Sequence, residues 1–362
     1  MADAALKNYV RQALVRGMST PDVQSFLVNS GWPKDEVSAI LNEQAQELPH
    51  NTVLKVEGLR KTFGKKIVLD NVYLEVEKGE IFGIIGPSGS GKTTLLNLLV
   101  GFYQPDKGDV TVAHSKKFFS VFKNRQELKS LVGFSTQKPS IYGKLTCKEN
   151  LTHFASLYGV GLHEAESRAH GLLRVVGLDG NADVLAADLS GGMQKRLDIA
   201  CALIHDPAVL ILDEPTADLD PILRTSMLHL VREINKHGTT IIMSSHFLGE
   251  IEHLCERIAI LRNNTITEVG SPDELKRLYS RDFVVHLQTV RKDYASVIAG
   301  LQQQRICSSV ERHEQSLRVR TPFPEHVLDI ISASVHQSGE KIQFLHVARP
   351  SIQEVFTALV KQ

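Results

Sequence analysis

The sequence predicts an α/β protein built around a parallel sheet, with a helical segment before it and a smaller α+β segment after it. Short apolar runs such as "GEIFGIIG", "AVLILD" and "TTIIMSS" alternate with helical stretches, which is typical of strands buried on both faces. Residues 1–43 show helical periodicity only, and the last part of the chain alternates strands and helices in a different order. The 362 residues are enough for two or three domains.

The first 43 residues are predicted to form three short helices. The apolar face of the first helix is made of Leu6, Tyr9, Val10, Ala13 and Leu14, and Gly17 ends it. Thr20 as N-cap with Pro21 starts the second helix, and Pro33 starts the third. Such a trio is similar to a ubiquitin-associated-like bundle. Two roles stay open, a docking module or a helical cap without a role of its own. Residues 44–52 are interpreted as a polar linker.

Residues 53–279 form the predicted parallel-sheet domain, and its first strand–helix junction carries a phosphate-binding motif. "GPSGSGKTT" fits G-x-x-x-x-G-K-[ST] and lies between an apolar strand and a helix. In this setting glycines let backbone N–H groups approach phosphates, a lysine balances phosphate charge and a hydroxyl binds Mg²⁺. The loop therefore predicts ATP and Mg²⁺ as ligands. Its residues are Gly86, Pro87, Ser88, Gly89, Ser90, Gly91, Lys92, Thr93 and Thr94.

Two consecutive carboxylates end the apolar strand "VLILDE". Ligands bind at the carboxyl ends of the strands in open α/β sheets. We expect Asp213 to hold Mg²⁺ and Glu214 to orient, or take a proton from, the attacking water.

A second anion site is predicted in the stretch "LSGGMQKRLDIACALIHDPAVLILDEPTADLDP". Ser190, Gly191 and Gly192 lie where a helix begins, and helix N-termini attract anions. Together with the phosphate loop, this stretch resembles the ATP-binding-cassette (ABC) ATPases over essentially all of residues 53–279. The resemblance implies a P-loop cassette with a RecA-like core and a helical subdomain. It also implies that two cassettes stack head to tail, so that each signature serine meets the nucleotide held by the partner.

The resemblance implies roles for four further residues. Gln137 corresponds to the glutamine that senses Mg²⁺ and water and couples to the transporter, and His246 to the switch histidine that contacts the γ-phosphate. Asp220 corresponds to the aspartate that links the two sites across the dimer. Phe63 lies where the family places an aromatic ring that stacks on adenine, with core packing as the alternative.

Several features resemble one branch of the family, the type-two exporters of the daunorubicin-resistance or polysaccharide and drug export kind. Met193 replaces the usual signature glutamine, as is common in that branch. "LTCKENLTHFASLYG" and "PSIQEVFTALV" indicate the same. The branch appends a small α+β domain, and residues 280–362 show the order βαββαβ, which predicts a ferredoxin-like domain. The resemblance implies an ATPase subunit that forms a homodimer and powers a separate membrane permease.

Composition narrows the remaining function classes. The 41 basic and 41 acidic residues leave no net field toward nucleic acid, so no nucleic-acid partner is expected. Four widely spaced cysteines match no metal or redox motif and are expected to be reduced. With no apolar run long enough for a bilayer and no signal peptide, we expect a peripheral protein on the cytoplasmic face of the membrane. The alternatives are a soluble ABC ATPase acting on nucleic acid or ribosomes, and a small-molecule kinase.

Overall fold

The structure is a computed structural model that describes residues 10, 20–29, 32–46, 51–114, 117–279, 282–304, 306–313, 315–354 and 356. The chain divides into two compact units, Met1–Ser271 and Pro272–Gln362. The sequence prediction puts a domain boundary at residue 280, and the helix Pro272–Tyr279 just before it lies in the second unit.

The first unit contains helices and strands in alternation. Its strands are β1 Thr52–Phe63, β2 Lys66–Glu77, β3 Ile81–Ile85, β4 Lys107–His114, β5 Lys117–Ser120, β6 Val132–Ser135, β7 Val209–Asp213, β8 Thr240–Ser244, β9 Arg257–Arg262 and β10 Thr265–Gly270. Its α-helices are α1 Thr20–Asn29, α2 Lys34–Gln46, α3 Lys92–Leu99, α4 Arg125–Leu131, α5 Cys147–Leu157, α6 Leu162–Val175, α7 Gly191–Leu203, α8 Pro221–Lys236 and α9 Leu248–Leu254.

The N-terminal helices α1 and α2 pack against each other through a small apolar cluster. Its buried members are Val10, Val23, Leu27, Val37, Ile40 and Leu41, with Trp32 packed against them. Of the predicted first helix, only Val10 belongs to the described residues. The three-helix bundle is therefore described only in its second and third helices.

The central sheet has six strands in the order β10-β9-β3-β8-β7-β6. The pairs β9–β3, β3–β8, β8–β7 and β7–β6 are parallel, and β10 joins β9 as an antiparallel edge. Every residue of β3, β7 and β8 is buried, because helices cover both faces of a parallel sheet. The predicted parallel sheet is thus confirmed. It places the carboxyl ends of these three neighbouring strands side by side.

A second sheet in this unit was not anticipated from the sequence. Strands β2, β1, β4 and β5 form an antiparallel sheet in that order. Strands β1 and β2 are joined by a turn in which Gly64 has φ +60°, a left-handed conformation suited to glycine. In β2 buried residues alternate with less buried ones between Val72 and Glu77, the pattern of a sheet with one solvated face.

The second unit is an α+β unit with one antiparallel sheet. Its helices are α10 Pro272–Tyr279, α11 Ala295–Gln304 and α12 Pro324–Ser338, and its strands are β11 Phe283–Thr289, β12 Ser309–Arg312, β13 Leu317–Thr321 and β14 Ile342–Ala348. The strand order is β12-β13-β11-β14. After α10 the observed order of elements is βαββαβ. Residues 352–354 are helical, and most of the rest of the predicted closing helix lies outside the described residues.

Among the residues that the structure describes, no helix combines the length and the apolar character needed to cross a bilayer.

Candidate active site

The phosphate loop connects the buried strand β3 to helix α3, as its motif predicts. Gly86 has no room for a side chain, because a Cβ there would lie 2.5 Å from the carbonyl oxygen of Leu261 and 2.6 Å from Oγ of Ser90. Gly89 and Gly91 have φ +76° and +106°, which side chains rarely tolerate. Glycine is therefore required here for two different reasons, close backbone approach and left-handed geometry.

Lys92 is held inside this loop. Its side chain is 6% exposed, and Nζ donates to the carbonyl oxygens of Gly86 at 3.0 Å and Pro87 at 3.2 Å. Nζ also lies 4.0 Å from Oε1 of Glu214. Burial lowers the pKa of Lys92, opposed by the negative charges of Glu214 and Asp213. A buried ammonium with few charged partners is suited to binding an anionic phosphate chain.

Asp213 is the last residue of strand β7, beside the end of β8, and Glu214 follows it directly. The hydroxyl of Ser244 donates to Oδ1 of Asp213 at 2.6 Å and accepts from the backbone N–H of Glu214 at 3.0 Å. Asp213 is 1% exposed, and Glu214 has φ +44°, a strained backbone conformation of the kind that clusters at functional sites. The Ser244 hydroxyl thus holds the carboxylate of Asp213 and the backbone of Glu214.

Gln137 and His246 meet at one oxygen of Glu214. Nε2 of Gln137 lies 3.3 Å from Oε2 of Glu214, and Nδ1 of His246 lies 3.1 Å from the same atom. Gln137 follows β6 and His246 follows β8, so the sheet order brings together residues that are far apart in sequence. With Lys92 on the other oxygen, the carboxylate of Glu214 is contacted from three sides.

Ser190 and Asp220 lie at the starts of two other helices. Ser190 is the N-cap of α7 and accepts from the backbone N–H of Met193 at 3.4 Å. Asp220 is the N-cap of α8 and accepts from the N–H groups of Ile222 and Leu223. The hydrogen bonds described for both side chains stay within their own helices. The phosphate loop and the Ser190 helix start are therefore two separate elements of the first unit.

Phe63 ends strand β1 with its side chain accessible. It is 44% exposed, and its ring lies edge-on to Tyr103 with centroids 5.3 Å apart. Nζ of Lys61 lies 5.2 Å from the centroid of the ring. The exposure argues against the core-packing alternative and leaves an aromatic surface free for a ligand.

Three residues that organise the site were not predicted from the sequence. Ser244 belongs to "TTIIMSSH", and its place at the strand end just before His246 is a signal that would have identified it. Lys195 and Asp198 are buried on α7 and contact the segment around Gln137. A helical charge pair within a mainly apolar stretch is a weaker signal, because most such pairs are solvated.

Comparison with known proteins identifies the family. The family described as ABC transporter matches residues 69–217. The linearmycin resistance ATP-binding protein LnrL of Bacillus subtilis is 31% identical over 309 residues, which cover 85% of this chain and 98% of that protein. This chain belongs to the ABC transporter family.

Two further comparisons extend over the cassette. The Nod factor export ATP-binding protein I of Bradyrhizobium diazoefficiens is 36% identical over 225 residues, 62% of this chain and 72% of that protein. A dimeric ATP-binding cassette solved in a post-hydrolysis state with ADP and Pi aligns with TM-score 0.54 at 27% identity, covering 60% of this chain and 98% of that one. The first unit thus has the ABC ATPase fold, and the protein is an ATP-binding and ATP-hydrolysing cassette protein.

Proposed function

We propose that the protein is the ATPase subunit of an ABC exporter, in which ATP-driven pairing of two copies powers a separate membrane permease. One observation carries the proposal. In the first unit, Lys92 of the phosphate loop lies 4.0 Å from Glu214, whose other oxygen contacts Gln137 and His246. A second anion-attracting helix start, at Ser190, makes no described bond to that loop. Both elements have a use if two copies pair, because the Ser190 helix start of one copy can then meet the nucleotide on the phosphate loop of the other.

Each residue of this site has a task in the proposed hydrolysis. Lys92 and the loop N–H groups hold the phosphates of ATP. Glu214 is the acceptor for a proton of the attacking water, and Gln137 and His246 orient its carboxylate and the water. Phe63 provides the stacking surface for adenine, and Gly86 to Thr94 form the cradle.

The oxygens at the site fit a magnesium ion. Mg²⁺ prefers hard oxygen ligands and retains several water or phosphate oxygens. Thr93 lies exposed on the first turn of α3, and Asp213 and Gln137 supply a carboxylate and an amide oxygen. Thr93, Asp213 and Gln137 would hold the ion, and it would neutralise charge developing on the phosphates.

The second half-site comes from the partner. In a head-to-tail pair, Ser190, Gly191 and Gly192 at the start of α7 bind the γ-phosphate held by the other copy, since a helix N-terminus attracts anions. Asp220 lies at the start of α8 and links the two sites. The solved dimer of a similar cassette supports pairing of this kind.

The remaining parts of the chain fit an exporter subunit. We assign residues 1–43 to a helical module, 44–52 to a linker, 53–279 to the cassette and 280–362 to a ferredoxin-like domain. In the structure helix α2 extends to Gln46, strand β1 starts at Thr52 and the second compact unit starts at Pro272. The strand order β12-β13-β11-β14 supports the last assignment. The relatives' names, linearmycin resistance and Nod factor export, support a role in export. With that role, we place the protein at the cytoplasmic face of the membrane beside a permease. They do not support a soluble cassette acting on nucleic acid or ribosomes.

The experiment is ATP-dependent pairing in the Glu214→Gln variant. Glutamine keeps the size of the side chain but takes up no proton at neutral pH, so ATP should bind without cleavage and the dimer should accumulate. Size-exclusion chromatography with light scattering, with and without Mg-ATP, measures it. Adding Ser190→Arg should abolish the dimer by filling the place of the γ-phosphate. A double variant that still dimerises fully would refute the proposed pairing. Because the second unit is another place where copies can meet, the same pair of variants is measured without residues 280–362.

A further inference from the structure

Helix α7 buries two opposite charges, one turn apart, on the side that faces the loop after β6. Lys195 is 5% exposed and Asp198 is 4% exposed. Taking a charge out of water costs several kcal/mol, so buried charges persist only where each is well bonded. Here both side chains direct their bonds at one short segment, residues 135–140.

The bonds lie on both sides of Gln137. Asp198 accepts from the hydroxyl of Ser135 at 2.5 Å and from the backbone N–H of Ser140 at 2.7 Å. Lys195 donates to the carbonyl oxygen of Thr136 at 2.5 Å. Helix α7 is therefore hydrogen-bonded to Ser135 and Thr136 before Gln137 and to Ser140 after it.

Residues 135–140 are also held by hydrogen bonds within the segment itself. The hydroxyl of Thr136 donates to the carbonyl oxygen of Lys138 at 2.7 Å and lies 2.8 Å from the hydroxyl of Ser140. With its backbone fixed from two sides, the segment presents the Gln137 side chain toward Glu214, where Nε2 and Oε2 lie 3.3 Å apart. A shift of α7 must move Gln137 or break bonds to buried charges.

The same helix begins at Ser190. At about 1.5 Å of rise per residue, the N-cap and Asp198 are about 12 Å apart along one continuous helix. The start of α7 and the Gln137 contact are therefore mechanically joined within one chain.

We propose that Asp198, supported by Lys195, is a positioning residue for ATP hydrolysis that sets Gln137 against Glu214 and ties that setting to the position of α7. The assignment rests on the proposed role of Gln137. Asp198 acts through Gln137 and touches neither nucleotide nor water. It therefore governs the rate of cleavage and leaves phosphate binding, which depends on Lys92 and its loop, unchanged.

The test is a double-mutant cycle in the full-length protein. Asp198→Asn keeps the size of the side chain and one acceptor but removes the charge, and Ser135→Ala removes a single hydroxyl bonded to that carboxylate. Asp198→Asn should lower kcat for ATP hydrolysis about tenfold or more with KM within about threefold, and Ser135→Ala should lower kcat less. In the Gln137→Ala background, Asp198→Asn should change kcat by less than about twofold, because coupled residues are non-additive.

Gln194→Ala is the matched control, because Gln194 lies on the same helix and donates to the carbonyl oxygen of Ala186 instead. It should retain wild-type kcat. Full additivity of Asp198→Asn with Gln137→Ala, or equal loss in kcat and thermal stability for Asp198→Asn and Gln194→Ala, would overturn the inference. If Asp198→Asn does not fold, the cycle of Ser135→Ala with Gln137→Ala decides by the same criterion. A wild-type kcat in Gln137→Ala itself would instead refute the proposed role of Gln137.

Discussion

Replacing Lys92 with methionine should separate phosphate binding from folding. Methionine keeps the unbranched stem and its packing but loses the ammonium that donates to Gly86 and Pro87 at 3.0 and 3.2 Å. Losing bonds from a charged donor costs about 1.5–3 kcal/mol each. Removing a buried ammonium recovers a desolvation cost of several kcal/mol, which burial of Lys92 and its lowered pKa indicate. Because the terms oppose each other, the free energy of unfolding should change by less than about 2 kcal/mol.

For ATP binding, no recovered desolvation free energy offsets the loss of the Lys92 ammonium. The phosphate chain loses a charge-assisted hydrogen bond from Lys92, worth about 1.5–3 kcal/mol, which corresponds to about 10- to 150-fold weaker binding. The expected signature is therefore a large change in affinity with a small change in stability.

The assay combines urea denaturation with isothermal titration of ATP into the variant. Lys195→Met is the comparison, since Lys195 is equally buried and also donates to a backbone carbonyl, that of Thr136. Its ATP Kd should stay within about threefold of wild type, because the hydrogen bond of Lys195 goes to Thr136 and not to the phosphate loop. An unchanged Kd in Lys92→Met, or equal weakening in both variants, would refute the assignment of Lys92 as the phosphate counter-charge.

Three other predictions follow from particular contacts. Gly86→Ala should destabilise the protein by about 1–3 kcal/mol by overpacking against the carbonyl of Leu261, whereas Gly89→Ala has open space and loses only about 1–2 kcal/mol to left-handed strain, as chemical denaturation would show. Phe63→Ala should weaken ATP binding about 5- to 150-fold through lost stacking while Phe63→Tyr preserves it, and equal Kd values in titration would contradict the adenine role. Burial lowers the pKa of His205, stacked on Tyr158, to about 4, so the unfolded chain binds the extra proton first as pH falls from about 6.5. Stability should then decline by up to about 3 kcal/mol toward pH 4, and His205→Phe should flatten that decline in pH-dependent unfolding curves.

The sequence by itself determined the elements whose cause is local. Short, mainly apolar runs that alternate with helical stretches favour buried strands, so β3, β7 and β8 were predictable. The phosphate loop was readable because its Gly, Lys and Thr stand at fixed spacing within nine consecutive residues, and the helix start at Ser190 was readable from the residues beside it. The antiparallel sheet was not predicted, because its strands are half-polar and because the β1–β2 hairpin becomes a sheet only by pairing with β4, far along the chain.

Only the tertiary structure decided which of these elements meet. Gln137 and His246 lie 77 and 32 residues from Glu214, and the strand order β8-β7-β6 places both at one carboxylate oxygen. The bridge from Ser244 to Asp213 exists because β8 pairs with β7 in register. The buried charges of Lys195 and Asp198 resemble solvated helix residues in the sequence. Tertiary packing removes both charges from water and leaves the segment around Gln137 as their bonding partner. The free-energy cost of burying a charge depends on these surroundings, which no local sequence pattern encodes.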